Sequence, residues 1–277
     1  MPKSFGSKLQ AVFEAHGQLC VGIDPHASLL ESWGLPDNAE SLLEFSRAVI
    51  QASSGRVGIV KPQVSFFERH GAAGFAVLEA VTREARDAGL LVIADAKRGD
   101  IGTTMDAYLE AWLGRSAPFF ADSLTVSPYL GAGVYLDRMS DYFERGKGLF
   151  SLVATSNPEG ESVQLDVAKG QWEALSRVNQ VAAGPGDKLG SVGAVIGATL
   201  NLAKFKLELN GSEGVRTPIL APGFGAQGAE LSEIKRLFGE ASSTVLASVS
   251  RSILEAGPNG LEMAIENHKM QLEKGLA

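Results

Sequence analysis

Apolar positions along this chain alternate between two patterns. Short apolar runs recur at 19–25, 57–62, 90–94, 119–126, 149–154, 192–196, 218–221 and 245–249. They read as strands buried on both faces, as in a parallel sheet covered by helices. Between them lie stretches whose apolar residues fall three and four apart, as on one face of a helix. Those at 38–53, 71–88, 103–113, 132–145, 160–183, 200–210, 229–238 and 258–274 predict helices. A further amphipathic stretch at 4–16, with Phe5, Leu9, Val12 and Phe13 on one face, precedes the first strand. Eight strand–helix units predict a single (β/α)8 barrel domain over residues 1–277. The alternative is a doubly wound open sheet, which more often has five to seven strands.

Three consecutive strands end in ionisable groups: Asp24, Lys61, and Asp95 with Lys97. In a barrel the C-terminal strand ends carry the active site. Neighbouring strands lie about 4.8 Å apart, so these groups can form one network of alternating charge. Side chains alternate along a strand, which turns Asp95 and Lys97 the same way and Ala96 the other. Opposite charge nearby keeps a lysine protonated, which suits a proton donor better than a Schiff-base nucleophile. Gly99 offers a sharp turn, and Asp100, Thr103 and Thr104 are residue types suited to a helix start.

A second site is predicted late in the chain. Residues 221–228 read APGFGAQG, a G-x-G-x-x-G directly after a strand. A dinucleotide fold would place an acid at the end of the next strand, but Ser250 and Arg251 stand there. The better reading is a barrel phosphate site built from the loops after strands seven and eight. Backbone N–H groups of 223–228, the Gln227 amide and the Arg251 fork are its expected donors. Ser156, in ATSNP after strand five, reads equally as a substrate contact or a turn residue.

Composition narrows the classes. The net charge of -7 argues against nucleic acid as a partner. Cys20 is the only cysteine, consistent with a reducing cytoplasm. No run of about 18 apolar residues occurs and the N-terminus lacks an apolar signal core, so no membrane partner is expected. The scattered His16, His26, His70 and His268 form no zinc motif, and His26 near Asp24 reads as a polar loop residue.

The motif Asp95-x-Lys97-x-x-Asp100, in ADAKRGDIGTT, resembles orotidine 5′-phosphate decarboxylases, most of all the longer bacterial group. GIDPH at Asp24, VKPQ at Lys61, ATSNP at Ser156, APGFGAQG with Pro222 and Gln227, and SVSRSIL at Arg251 extend the resemblance over nearly the whole chain. The resemblance implies a (β/α)8 barrel that converts orotidine 5′-phosphate to uridine 5′-phosphate, the last step of de novo UMP synthesis, without metal or organic cofactor. It implies that Lys97 protonates C6, that Asp95 sits beside the substrate carboxylate, and that Lys61 and Asp100 complete the charge network. Asp24 and Lys61 would contact the ribose, Ser156 the pyrimidine, and Gln227 and Arg251 the phosphate. Ile101 and Thr104 would reach a neighbouring subunit's site together with Asp100, in a homodimer. Ser250, where many relatives carry glycine, is a local departure. A related magnesium-dependent sugar-phosphate decarboxylase or aldolase would carry an acidic ligand in place of Lys61. A non-catalytic phosphate-binding barrel would have no use for Asp95, Lys97 and Asp100 together.

Overall fold

The computed structural model describes residues 3–209 and 214–277. Eight parallel strands close into a barrel in sequence order. They are β1 (Leu19–Ile23), β2 (Ile59–Pro62), β3 (Leu91–Arg98), β4 (Ser123–Val126), β5 (Gly148–Ala154), β6 (Val192–Ile196), β7 (Ile219–Pro222) and β8 (Val245–Val249). β8 pairs back onto β1, with Val21 opposite Val249. An open doubly wound sheet is thereby ruled out.

Helices surround the barrel and close its N-terminal mouth. They comprise α1 (Phe5–His16), α2 (Ala27–Ser32), α3 (Ala39–Ser53), α4 (Val64–Glu68), α5 (Gly71–Asp87) and α6 (Gly102–Leu113). The second half adds α7 (Gly133–Leu136), α8 (Ser140–Glu144), α9 (Pro158–Ala182), α10 (Ile234–Phe238), α11 (Arg251–Leu254) and α12 (Leu261–Leu276). One apolar core lies between strands and helices. A second fills the barrel itself, from Cys20, Ile59, Ile93, Phe150, Val195, Leu220 and Leu246.

Helix α1 closes the N-terminal mouth. Its Phe5 and Leu9 are fully buried in the inner core, and Phe5 meets Phe150 edge-to-face at 6.1 Å. Burying each side chain stabilises by about 1.5–3 kcal/mol. Gly58, just before β2, and Gly148, at the start of β5, must be glycine for this plug to fit. A Cβ on Gly58 would come within 2.3 Å of Val12, and one on Gly148 within 2.4 Å of Phe5. The opposite mouth, at the C-terminal strand ends, stays open.

Several expected elements differ. The stretch at 132–145 is two short helices, α7 and α8, rather than one. Residues 200–210 form only a 3-10 turn, Leu202–Phe205, which ends where Lys206 adopts a left-handed φ of 56°; Asn210 lies outside the described residues. The helix expected at 229–238 shrinks to a 3-10 turn, Leu231–Glu233, and α10. The fourth strand begins only at Ser123, because Phe120 takes a φ of 34° and its ring lies between Arg86 and Lys147.

Candidate active site

Strand alternation turns every second residue of β1, β2 and β3 into the barrel. Cys20, Ile59 and Ile93 build the inner core, and two residues further on, each strand presents Gly22, Lys61 or Asp95. Lys61 is only 7% exposed, yet its Nζ has a partner: it donates to Asp95 Oδ2 at 2.9 Å. Lys97 Nζ donates to the other oxygen, Oδ1, at 2.6 Å. Burial alone would raise the Asp95 pKa, but Lys61 and Lys97 outweigh it and hold the carboxyl below the usual carboxylate range. Burial likewise pulls Lys61 down, and Asp95 with Asp24 pushes it above the ordinary lysine value. At neutral pH the Lys61–Asp95 pair therefore stands charged, with the Lys97 amine on the second carboxylate oxygen.

Two uncharged donors complete the carboxylate, and sequence reasoning missed both. Thr125 Oγ1 donates to Asp95 Oδ1 at 2.9 Å. The Gln63 amide, with its nitrogen turned toward Asp95, donates to Oδ2 and to the backbone oxygen, each at 2.9 Å; the reverse orientation would set oxygen against oxygen. Thr125 sits among β-formers with nothing to flag it.

Regular alternation does not place Lys97. Between Ala94 and Arg98, β3 advances four residues while β4 advances two, from Leu124 to Val126. Within this bulge Lys97 adopts a φ of 50°. A left-handed lysine costs about 1–2 kcal/mol. Thr125 Oγ1 accepts the Lys97 N–H at 2.9 Å and helps to hold that conformation. Gly99 serves a close approach, since a Cβ there would lie 2.7 Å from Ser127 O.

Asp24 joins the expected network through its charge alone. It has no ion pair among the described residues, and its buried Oδ1 lacks a hydrogen-bond partner. Such an oxygen calls for a donor from outside the chain. Asp100 also stands apart from Lys97, and its Oδ1 accepts only the neighbouring Ile101 N–H, at 2.8 Å. No side chain caps α6, so Asp100, Thr103 and Thr104 do not act as its cap. Ile101 and Thr104 are exposed at its start.

A cavity of about 440 Å³ opens beside the charged centre. Lys61, Asp95 and Lys97 form one wall, and Leu152, Val195 and Leu220 form an apolar floor from β5 to β7. Ser156, Pro222 and Gln227 line the rest, with Thr155, Asn157 and Gln164. Gln164 holds the turn after β5 through Thr155, accepting its N–H at 2.8 Å and donating to its hydroxyl at 2.7 Å.

The late glycines adopt backbone that only glycine takes freely: φ is 112° at Gly223, 72° at Gly225 and 101° at Gly228. The loop spends several of its own donors. The N–H groups of Gly225, Gly228 and Ala229 bond to Ala229 O, Gly225 O and Gly223 O. The expected row of free backbone donors is thus shortened, leaving the Gln227 and Arg251 side chains prominent. Arg251 is exposed at the start of α11, outside the cavity lining. The two loops abut, since a Cβ on Gly225 would lie 2.4 Å from Ser252 Oγ.

The chain is similar to several known proteins. An orotidine 5′-phosphate decarboxylase from Streptomyces coelicolor is 50% identical over 259 residues, covering 92% of this chain and 91% of that protein. One from Corynebacterium glutamicum is 46% identical over 268 residues, covering 94% of each. A crystal structure from Streptomyces avermitilis, assigned to the same activity, superposes with a TM-score of 0.92 at 44% identity, over 99% of this chain and 97% of that one. The Leishmania donovani OMP decarboxylase superposes with a TM-score of 0.70 at 28% identity, over 99% of this chain and 100% of that one. The family model for orotidine 5′-phosphate decarboxylases and the HUMPS group matches residues 17–264, from just before β1 into α12. By its barrel, its motifs and these relatives, the chain belongs to the orotidine 5′-phosphate decarboxylase / HUMPS family.

Proposed function

We propose that this chain decarboxylates orotidine 5′-phosphate to uridine 5′-phosphate, the last step of de novo UMP synthesis. The observation that carries the reading is the ammonium of Lys97, fixed against a buried ionised carboxylate on the wall of the cavity. Loss of carbon dioxide from a ring carbon leaves negative charge on that carbon. A preorganised cation stabilises the charge as it develops, and Lys97 then delivers the proton to C6. Asp95 is held ionised beside the departing carboxylate, where like charges repel until the product leaves neutral.

The rest of the cavity suits such a ligand. The Leu152–Val195–Leu220 floor takes a flat ring, and Ser156 stands at its edge for the pyrimidine. Asp24, with its unpartnered oxygen, and Lys61 take the ribose hydroxyls. Pro222 lines the ring side, and Gln227 with Arg251 takes the phosphate. This chemistry asks for no metal and no organic cofactor.

Asp100 completes the site of a second subunit. Among the described residues Asp100 makes no ion pair with Lys97, and its neighbour Ile101 is an apolar side chain 61% exposed; both support this. The active unit is then a two-fold homodimer in which Ile101 and Thr104 also cross. Subunit exchange between Lys97→Ala and Asp100→Ala tests this reading. Half the dimers are mixed and half their sites intact, so about a quarter of wild-type decarboxylation returns under two-fold symmetry. Confirmed exchange with no return of activity refutes the shared site.

A further inference from the structure

One buried hydroxyl sits where the strained lysine meets its carboxylate. Thr125, on β4, is 1% exposed, and it is absent from the cavity lining. Its Oγ1 accepts the Lys97 backbone N–H and lies 2.9 Å from Asp95 Oδ1. A threonine hydroxyl carries one proton, and the ionised carboxylate offers none. The polarity of the chain is therefore fixed: Lys97 N–H to Thr125 oxygen, Thr125 proton to Asp95.

The same oxygen thus governs both ends of the proton-donor pair. It anchors the backbone that decides where the Lys97 side chain leaves the strand, at the bulge where φ is 50°. It also holds Asp95 Oδ1, the atom on which the Lys97 ammonium rests at 2.6 Å. Neither Lys61 nor Gln63 can substitute, because both act on Oδ2. We propose that Thr125 is a positioning residue for decarboxylation: its hydroxyl locks Lys97 in the left-handed conformation and aims the ammonium at the reacting carbon. The proposal rests on Lys97 being the proton donor.

A hydroxyl that only satisfied a buried N–H would affect stability and leave the chemical step alone. The test therefore compares Thr125→Val, which keeps the shape, with Thr125→Ser, which keeps the hydroxyl, on orotidine 5′-phosphate alongside wild type. Thr125→Val is expected to lose about 10- to 100-fold in kcat, because a small misplacement of a reacting group costs about that much. KM and the Kd for uridine 5′-phosphate should stay within about threefold, since the cavity lining is untouched. Thr125→Ser should stay within about fivefold of wild-type kcat, because it restores both bonds. Should Thr125→Val fail to fold, Thr125→Ala is read in its place, and failure of both makes the role structural and overturns the proposal. An equal loss in the serine variant, a loss confined to KM, or a wild-type kcat in Thr125→Val also overturns it. A wild-type protein that leaves orotidine 5′-phosphate unchanged instead overturns the decarboxylase reading beneath it.

Discussion

Replacing Asp95 with Asn should destabilise the fold at pH 7 by about 4–5 kcal/mol, the upper part of the range for breaking a buried ion pair. At the 2.9 Å separation of Lys61 and Asp95, with an effective dielectric constant of about 20, the attraction is about 6 kcal/mol. Desolvation offsets part of it. Lys97 is 44% exposed at its side chain and is free to turn to water, so the loss falls on Lys61. The amide aggravates it: four donors converge on the two carboxylate oxygens, while Asn offers one acceptor and adds two donors. The pH dependence carries the sign. The depressed pKa of Asp95 makes its contribution complete above about pH 3.9 and lost as pH falls through the folded value. The raised pKa of Lys61 makes its contribution complete below about pH 10.4 and lost as pH rises through the folded value. In the variant, burial acts on Lys61 against Asp24 alone, so its pKa falls. The deficit relative to wild type should then be largest near neutrality and shrink toward both extremes. Urea denaturation of both proteins from pH 3 to 10 measures it, and a deficit under about 1 kcal/mol at pH 7 would refute the buried-pair argument.

Arg251→Ala should weaken orotidine 5′-phosphate far more than the unphosphorylated nucleoside, by about 1.5–3 kcal/mol for a lost charged hydrogen bond; equal losses in kcat/KM for both would remove Arg251 from the phosphate site. At the closed end of the barrel, Lys147 is buried with its Nζ on Ala121 O, and burial pushes its pKa down to about 8. A lysine with a lowered folded pKa binds fewer protons folded than unfolded, so stability should rise by about 3 kcal/mol between pH 8 and 10.4. Lys147→Met should abolish that rise in alkaline urea titrations; an unchanged slope assigns it to another group.

The barrel was legible because most of its eight strands are apolar runs, each with its own break; β4, with Ser123 and Thr125, is the exception. The charged strand ends of β2 and β3 were legible for the same reason: a charge that closes an apolar run points into the mouth. What escaped was set by tertiary contact. Helices α2 and α4 have six and five residues, too few to show a period. The bulge at Lys97 leaves no mark in ADAKRGD, since lysine does not announce a left-handed φ. Thr125 and Gln63 carry no charge, and their role exists only because β2, β3 and β4 lie side by side. Asp24 acts on Lys61 through its charge without touching it, a distinction that strand ends in a sequence do not reveal.

The most direct test is turnover of orotidine 5′-phosphate by wild type and by Lys97→Ala, followed as loss of substrate absorbance, with the Kd for uridine 5′-phosphate measured in parallel. Wild type should release carbon dioxide. The variant should lose at least about 100-fold in kcat, as removal of one preorganised charge-stabilising group does, while still binding the product. A variant that keeps more than about a tenth of wild-type kcat, a cost of under about 1.4 kcal/mol, would contradict Lys97 as the proton donor.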